Sequence, residues 1–372
     1  MKKINLSKIK IILRNFINLS IKTIKNINIS KFKHLITIAI VLILIFLIPI
    51  VFGSMSNGSY EKINQTEKNN AINKFSLGKG KLIDIDTSIV KVYTSDKVIK
   101  EVNLEDYVKG VVSTELPLSF EVEAMKAQGI LARTFVLSKM ITPCSTAKEH
   151  GGVICDTVHC QVYKPMEERI STMGSKSDKF REKVESAVNK TKNEVLTYEG
   201  LLVRYPQYFS MSSGKTENGS DVFKTDAKYL KSVVSVWDED LPNFNVTTEY
   251  SNSEFVQIVN NKYPKANLQE SNLKSLVKIL SRTDGGSVEQ IRLGDVSIKG
   301  TDFRMMFNIR SANFTIDFGD GVKINCKGYG HGVGMSQWGA NSMAKEGNDF
   351  EEIIKHYYTG VEITNIKNTR VE

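Results

Sequence analysis

Glu115 stands where a carboxyl group can do acid chemistry. Helical spacing over Leu104–Leu116 puts Leu104, Val108, Val111 and Glu115 on one face, at intervals of four, three and four residues. The carboxyl therefore continues an apolar stripe in the last helical turn. Desolvation and the negative end of the helix dipole both raise its pKa there. A carboxylic acid still protonated near neutral pH can serve as a general acid, as glycoside cleavage requires. A terminal glutamate reaching water beside Pro117 has the same spacing, and both readings stand at this level.

The next helix, predicted over Glu121–Met140, packs through Ala124, Ala127, Leu131, Phe135 and Val136. Gln128 and Arg133 are the residues on it that packing does not account for. Arg133 is either a solvated charge or a donor fork aimed at a sugar or carboxylate.

Cys144, His150, Cys155, His159 and Cys160 fall within seventeen residues, and the fourth cysteine, Cys326, is far away. Cysteines outside the cytoplasm suit disulfides. Two histidines interleaved with two cysteines at His150, Cys155, His159 and Cys160 also suit a closed, structural zinc site of the S₂N₂ type, which is the reading we favour. Cys144 is the reserve ligand.

Residues 328–340 (GYGHGVGMSQWGA) hold five glycines in thirteen positions, interleaved with hydrogen-bonding and stacking side chains. Such a run serves tight backbone or close approach to a ligand. It lacks the G-x-G-x-x-G spacing of a dinucleotide loop, and no Lys-Ser/Thr follows. A floor for carbohydrate suits its aromatic and amide content better than one for phosphate. A turn leading into a helix over Met335–Lys345 is the plainer alternative.

These groups need a scaffold. Strand alternation over Leu82–Asp86 and Ile89–Tyr93 precedes the two helices. A helix over Asp178–Lys192, strands at Val195–Tyr198 and Leu201–Tyr205, and a hairpin at Ala312–Ile316 and Val322–Cys326 follow them. Helices and antiparallel strands mix without regular alternation, which predicts an α+β fold with an inserted smaller lobe over about 241–310.

The net charge of +9 is not a nucleic-acid footprint. Residues 1–34 carry nine Lys or Arg and no acid, which leaves 41 basic and 41 acidic residues in the rest of the chain. Leu35–Phe52 is uncharged and long enough to span a bilayer. The expected organisation is a basic cytoplasmic tail at 1–34, a transmembrane helix at 35–53 with the N-terminus inside, a polar stalk at 54–80, and an extracytoplasmic domain at 81–365. A cleaved signal peptide is the alternative for the apolar run. ATP- and NAD-dependent chemistry is unexpected outside the cytoplasm.

Taken in order, Tyr107–Pro117 (YVKGVVSTELP), Glu123–Gln128 with Ala132–Thr134, Cys160–Tyr163 (CQVY), Phe209–Thr216 (FSMSSGKT), Gly300-Thr301 with Arg304, Gly330–Ala340 and Tyr357–Gly360 resemble the stage II sporulation protein D family. The resemblance implies a membrane-anchored peptidoglycan lytic transglycosylase acting in spore engulfment on glycan strands stripped of their stem peptides. It implies two partners, a cell-wall amidase and a further membrane protein of the engulfment machinery. It assigns catalysis to Glu115 and places zinc in the region of His150–Cys160. Groove residues on this reading are Arg133, Gln128, Tyr163, Ser212, Ser213, His331, Gln337 and Trp338. Amidase-enhancer proteins share much of the pattern, so a non-catalytic glycan-binding activator of an amidase is the alternative.

Overall fold

The computed structural model describes residues 80–372. The predicted tail, the apolar segment at 35–53 and all but the last residue of the stalk lie outside these described residues. The main helices, in chain order, are α1 (Leu104–Glu115), α2 (Val122–Ile141), α3 (Ser177–Lys190), α4 (Asn252–Lys262), α5 (Gly300–Phe307) and α6 (Gln337–Lys345). Among the described residues no helix is long and apolar enough to cross a membrane.

Helix α1 starts where Asn103 accepts a hydrogen bond from the Glu105 amide, and Glu105 and Asp106 complement the positive end of its dipole. It ends at Leu116, whose backbone is already extended because Pro117 excludes the helical conformation before it. Helix α2 is buried on every side, Gln128 and Arg133 included, and so behaves as a central core helix rather than an amphipathic one. It packs against α1, α3 and α6. Each leucine, isoleucine or phenylalanine it buries is worth about 1.5–3 kcal/mol.

Around α2 the architecture is mixed α/β. A five-stranded sheet runs in the order Lys81–Leu82, Arg370–Val371, Leu201–Leu202, Glu194–Tyr198, Val361–Asn365, so both ends of the described chain meet in one sheet. Ile89–Tyr93 pairs antiparallel with Ile99–Asn103 and parallel with Ile154–Cys155. A short parallel pair, Tyr208–Phe209 with Met335–Ser336, brings the Tyr208 segment beside the glycine run.

A second hydrophobic core lies in the inserted region, built on Phe255 of α4 and on Phe303 and Phe307 of α5. Two three-stranded antiparallel sheets enclose it. Asn245–Tyr250 pairs along its whole length with Val322–Lys327, which also pairs with Phe314–Phe318. The lobe therefore takes in the hairpin beyond residue 310.

A candidate active site at the end of α1

Glu115 is half-buried. Its Oε1 accepts from the Tyr208 hydroxyl at 3.3 Å, and its Oε2 accepts from Gln337 Nε2 at 3.2 Å. Burial raises its pKa, and hydrogen bonds from Gln337, Tyr208 and the Val162 backbone work against the rise. The helix-face reading of this residue thus agrees with its surroundings. Among the described residues, every side chain hydrogen-bonded to Glu115 is neutral.

The network extends in two directions. Gln337 Nε2 also reaches Gln128 Oε1 at 3.4 Å, and the Gln128 Nε2 is buried with no partner among the described residues. On the other side, Tyr107 donates to Gln161 Oε1 at 3.2 Å, and Gln161 Nε2 donates to the Tyr208 hydroxyl at 3.3 Å. The donor sequence Tyr107, Gln161, Tyr208 ends on the carboxylate. Burial holds both phenols well above the ordinary tyrosine value, so they remain donors at any physiological pH.

Gln337 reaches the site because Ser336 caps α6, its hydroxyl accepting from the Gly339 amide. Asp238 in turn holds Ser336: its Oδ2 accepts from Ser336 Oγ at 2.6 Å and from the Ser212 amide at 2.5 Å. The carboxyl of Asp238 is buried, which pushes its pKa up to about 6 despite those two donors. In the glycine run, Gly334 has φ +77°, and a side chain there would collide with the Gln207 carbonyl. Glycine is required for the backbone to pass that close to the Tyr208 strand.

The expected groove residues are dispersed over the structure. Gln128 and Gln337 stand with Glu115. Trp338 is half-buried on the edge of Phe120, with ring centroids 4.8 Å apart. Tyr163 stacks on Tyr107 at 4.9 Å and leans on α1 where Gly110 leaves room. Ser212 is fully buried and serves the scaffold, while Ser213 accepts from Asn313 of the inserted lobe at 3.0 Å. His331 lies between Phe209 and Phe223.

Arg133 does not line a groove. It is 0% exposed and grips Glu105 with two hydrogen bonds, Nε to Oε1 at 3.0 Å and Nη2 to Oε2 at 2.7 Å. Its Nη1 donates to the Glu194 carbonyl at 3.1 Å. The guanidinium ties α2 to the first turn of α1, because a charge on an all-buried helix must find its counter-charge inside the protein.

The cysteine cluster also differs from the expected set. Cys144, Cys155, His159 and Cys160 bring their ligand atoms within 4.8 Å of one another. His150 is left out, stacked on Tyr93 with ring centroids 4.2 Å apart. Cys144, the reserve, takes its place because Cys144 caps the short helix Ser145–Lys148, and the following turn carries His150 away. The four cysteines are free thiols. Burial opposes ionisation of Cys155, but hydrogen bonds from Thr157 and His159 more than offset it and bring the thiol down to about 7. Three sulfurs and one imidazole are a soft, tetrahedral-capable donor set, which suits zinc.

Tyr208, Gln161 and Asp238 were not expected at the site. Tyr208 lies on a strand two residues long, too short for alternation to reveal which way its side chain points.

The chain is similar to known proteins over most of its length. The family model for "Stage II sporulation protein" matches residues 93–198, a span that includes Glu115, Gln128, Gln161 and the cysteine cluster. Stage II sporulation protein D of Bacillus amyloliquefaciens is 38% identical over 277 residues, covering 74% of this chain and 78% of that protein. The protein of the same name in Bacillus subtilis (strain 168) is 32% identical over 333 residues, covering 88% of this chain and 95% of that protein. An "Amidase enhancer" of Bacillus subtilis (strain 168) is 27% identical over 304 residues, 69% of this chain and 40% of that protein. With its motifs in order and two such relatives matched over most of their length, the chain belongs to the stage II sporulation protein D family.

Proposed function

We propose that this protein is a lytic transglycosylase that cleaves the MurNAc–GlcNAc bonds of stem-free peptidoglycan strands during spore engulfment, with Glu115 as both general acid and general base. The observation that carries the reading is the half-buried carboxyl of Glu115, raised in pKa by burial and touched only by neutral donors among the described residues.

Hydrolytic glycosidases use a pair of carboxylates. A single carboxyl suffices if the nucleophile is the sugar's own 6-hydroxyl. Protonated Glu115 gives its proton to the glycosidic oxygen as the C1–O bond breaks. The resulting carboxylate is stabilised by Tyr208 and Gln337, then takes the proton of the 6-hydroxyl as that oxygen closes on C1. The products are a 1,6-anhydro-muramic end and a free 4-hydroxyl on the departing sugar, with Glu115 again protonated. Donors that favour the carboxylate keep the acid from becoming too weak to cycle, while burial keeps it protonated at the start.

The basic tail and the apolar run at 35–53 support a single-pass membrane anchor, with the domain outside the cytoplasm. Cys144, Cys155, His159 and Cys160 would hold a structural zinc, which supplies no acid or nucleophile but clamps the loop before Gln161. The likeness to an amidase enhancer supports a cell-wall amidase as partner; a further membrane protein of the engulfment machinery is what the family resemblance implies. The same likeness favours a second reading, a glycan-binding activator without chemistry of its own.

Incubating the protein with stem-free strands and analysing the products by mass spectrometry separates the two. Anhydro-muramic ends that vanish with Glu115→Gln are the expected result. Intact strands that stay bound would sink the enzymatic reading and leave the activator.

A further inference from the structure

A cavity of about 370 Å³ lies away from Glu115, between the core domain's Ser220–Phe223 segment and the inserted lobe. Its volume is that of a small-ligand site. Arg304 and Lys299 supply positive charge, Thr301 a hydroxyl, His331 an imidazole, and Phe223 and Met305 an apolar edge. Phe223, edge-on to His331 with ring centroids 5.0 Å apart, and Met305 are 44% and 73% exposed.

Arg304 is half-buried, and its Nε reaches only the Ile309 carbonyl, at 3.4 Å. No carboxylate among the described residues forms an ion pair with it; the ionisable groups bearing on it are Tyr329 and Cys326. His331 is neutral at physiological pH, because burial and the neighbouring Arg304 push its pKa down to about 4. Its Nδ1 accepts from the Val333 amide at 3.1 Å, so the proton sits on Nε2, which the Tyr208 backbone carbonyl engages. Two acids do line the cavity, Glu289 and Asp221, and both are exposed. Asp221 already accepts from Asn218 and Ser220.

A partly desolvated guanidinium without a counter-ion, beside the Lys299 ammonium, the Thr301 hydroxyl and the partly exposed Phe223 ring, matches a ligand with one carboxylate and a sugar ring. Glu289 and Asp221 oppose a multiply charged anion such as phosphate. We infer that this cavity receives the lactyl carboxylate of an N-acetylmuramic acid residue and that Arg304 is the group that pairs with it. The inference rests on the glycan reading of the preceding section and deepens it. A stem peptide converts the lactyl carboxylate into a neutral amide, which leaves Arg304 desolvated and unpaired. A site built around a charged partner rejects the analogue that lacks it. Discrimination against stem-bearing strands thus resides in the cavity and not at Glu115.

Tyr208 links the two places. Its hydroxyl donates to Glu115, and its backbone carbonyl bears on His331.

The test uses the full-length chain in detergent with Glu115→Gln, so that binding is read without cleavage. Fluorescence anisotropy compares a stem-free MurNAc–GlcNAc tetrasaccharide with the same molecule carrying lactyl carboxamides. The acid should bind at least about tenfold more tightly, the size of a charge-assisted hydrogen bond. Arg304→Gln should remove the difference, and Arg304→Lys should restore part of it. Equal affinity for acid and amide would overturn the inference while leaving the glycan reading intact. Binding of neither would overturn both. Inorganic phosphate that displaces the acid at equal concentration would also overturn it. The acid–amide comparison needs no change at Arg304, so a variant that fails to fold does not spoil the test. Discrimination retained in a chain whose unsubstituted form cuts no strand would sustain this inference and remove the catalytic one.

Discussion

Gln337 Nε2 lies 3.2 Å from Glu115 Oε2, so the first residue of α6 donates to the last residue of α1. The contact joins the glycine run to the acid, and it gives both a definite geometry.

Tyr208→Phe removes a donor that favours the charged form of Glu115. The acid's pKa should rise further, so the alkaline limb of the rate–pH profile moves to higher pH. The rate near neutrality should fall about tenfold, since the departing proton leaves a less stabilised carboxylate. An unmoved limb would show that Tyr208 does not act on Glu115.

Arg133→Met should cost about 3–5 kcal/mol, because it strands Glu105 without its buried partner. Urea denaturation reads this directly. Glycan affinity of the folded fraction should stay at the level of the unsubstituted protein, in contrast to a groove role for Arg133.

Asp238 titrates between 3.8 and about 6 on unfolding and folding respectively. The folded state binds the extra proton in that window. Its contribution is therefore fully present below pH 3.8 and lost as pH rises through about 6, worth about 3 kcal/mol across the window. Asp238→Asn should flatten this part of the stability–pH curve. Urea midpoints at pH 4 and pH 7 that shift equally in both proteins would refute it.

Metal content distinguishes the two cysteine-cluster assignments. Protein purified with zinc should carry about one equivalent, as a closed four-ligand site does. Cys144→Ser should lower it to well below half, and His150→Ala should leave it unchanged. The reverse pattern would return His150 to the ligand set.

Much of the site's framework was readable before any fold was known. The period of Leu104, Val108, Val111 and Glu115, closed by Pro117, is local information, because backbone sterics and side-chain spacing act within a few residues. The glycine run was legible for the same reason: Gly330 and Gly334 both take positive φ, which few other residues tolerate. The mixture of helices and antiparallel strands followed from period and turn chemistry.

What the chain alone determined is which segments become helix or strand and which of them carry an acid at a terminus. Tertiary structure decided which groups meet. It turned Arg133 inward onto Glu105, placed Cys144 where His150 was expected, brought Tyr208 and Gln337 onto one carboxyl, and left Arg304 facing a cavity. These pairings join residues far apart in sequence, and their free energy depends on burial and on the partners available after folding. Local periodicity reports the face a residue occupies; only packing selects the neighbour that face meets.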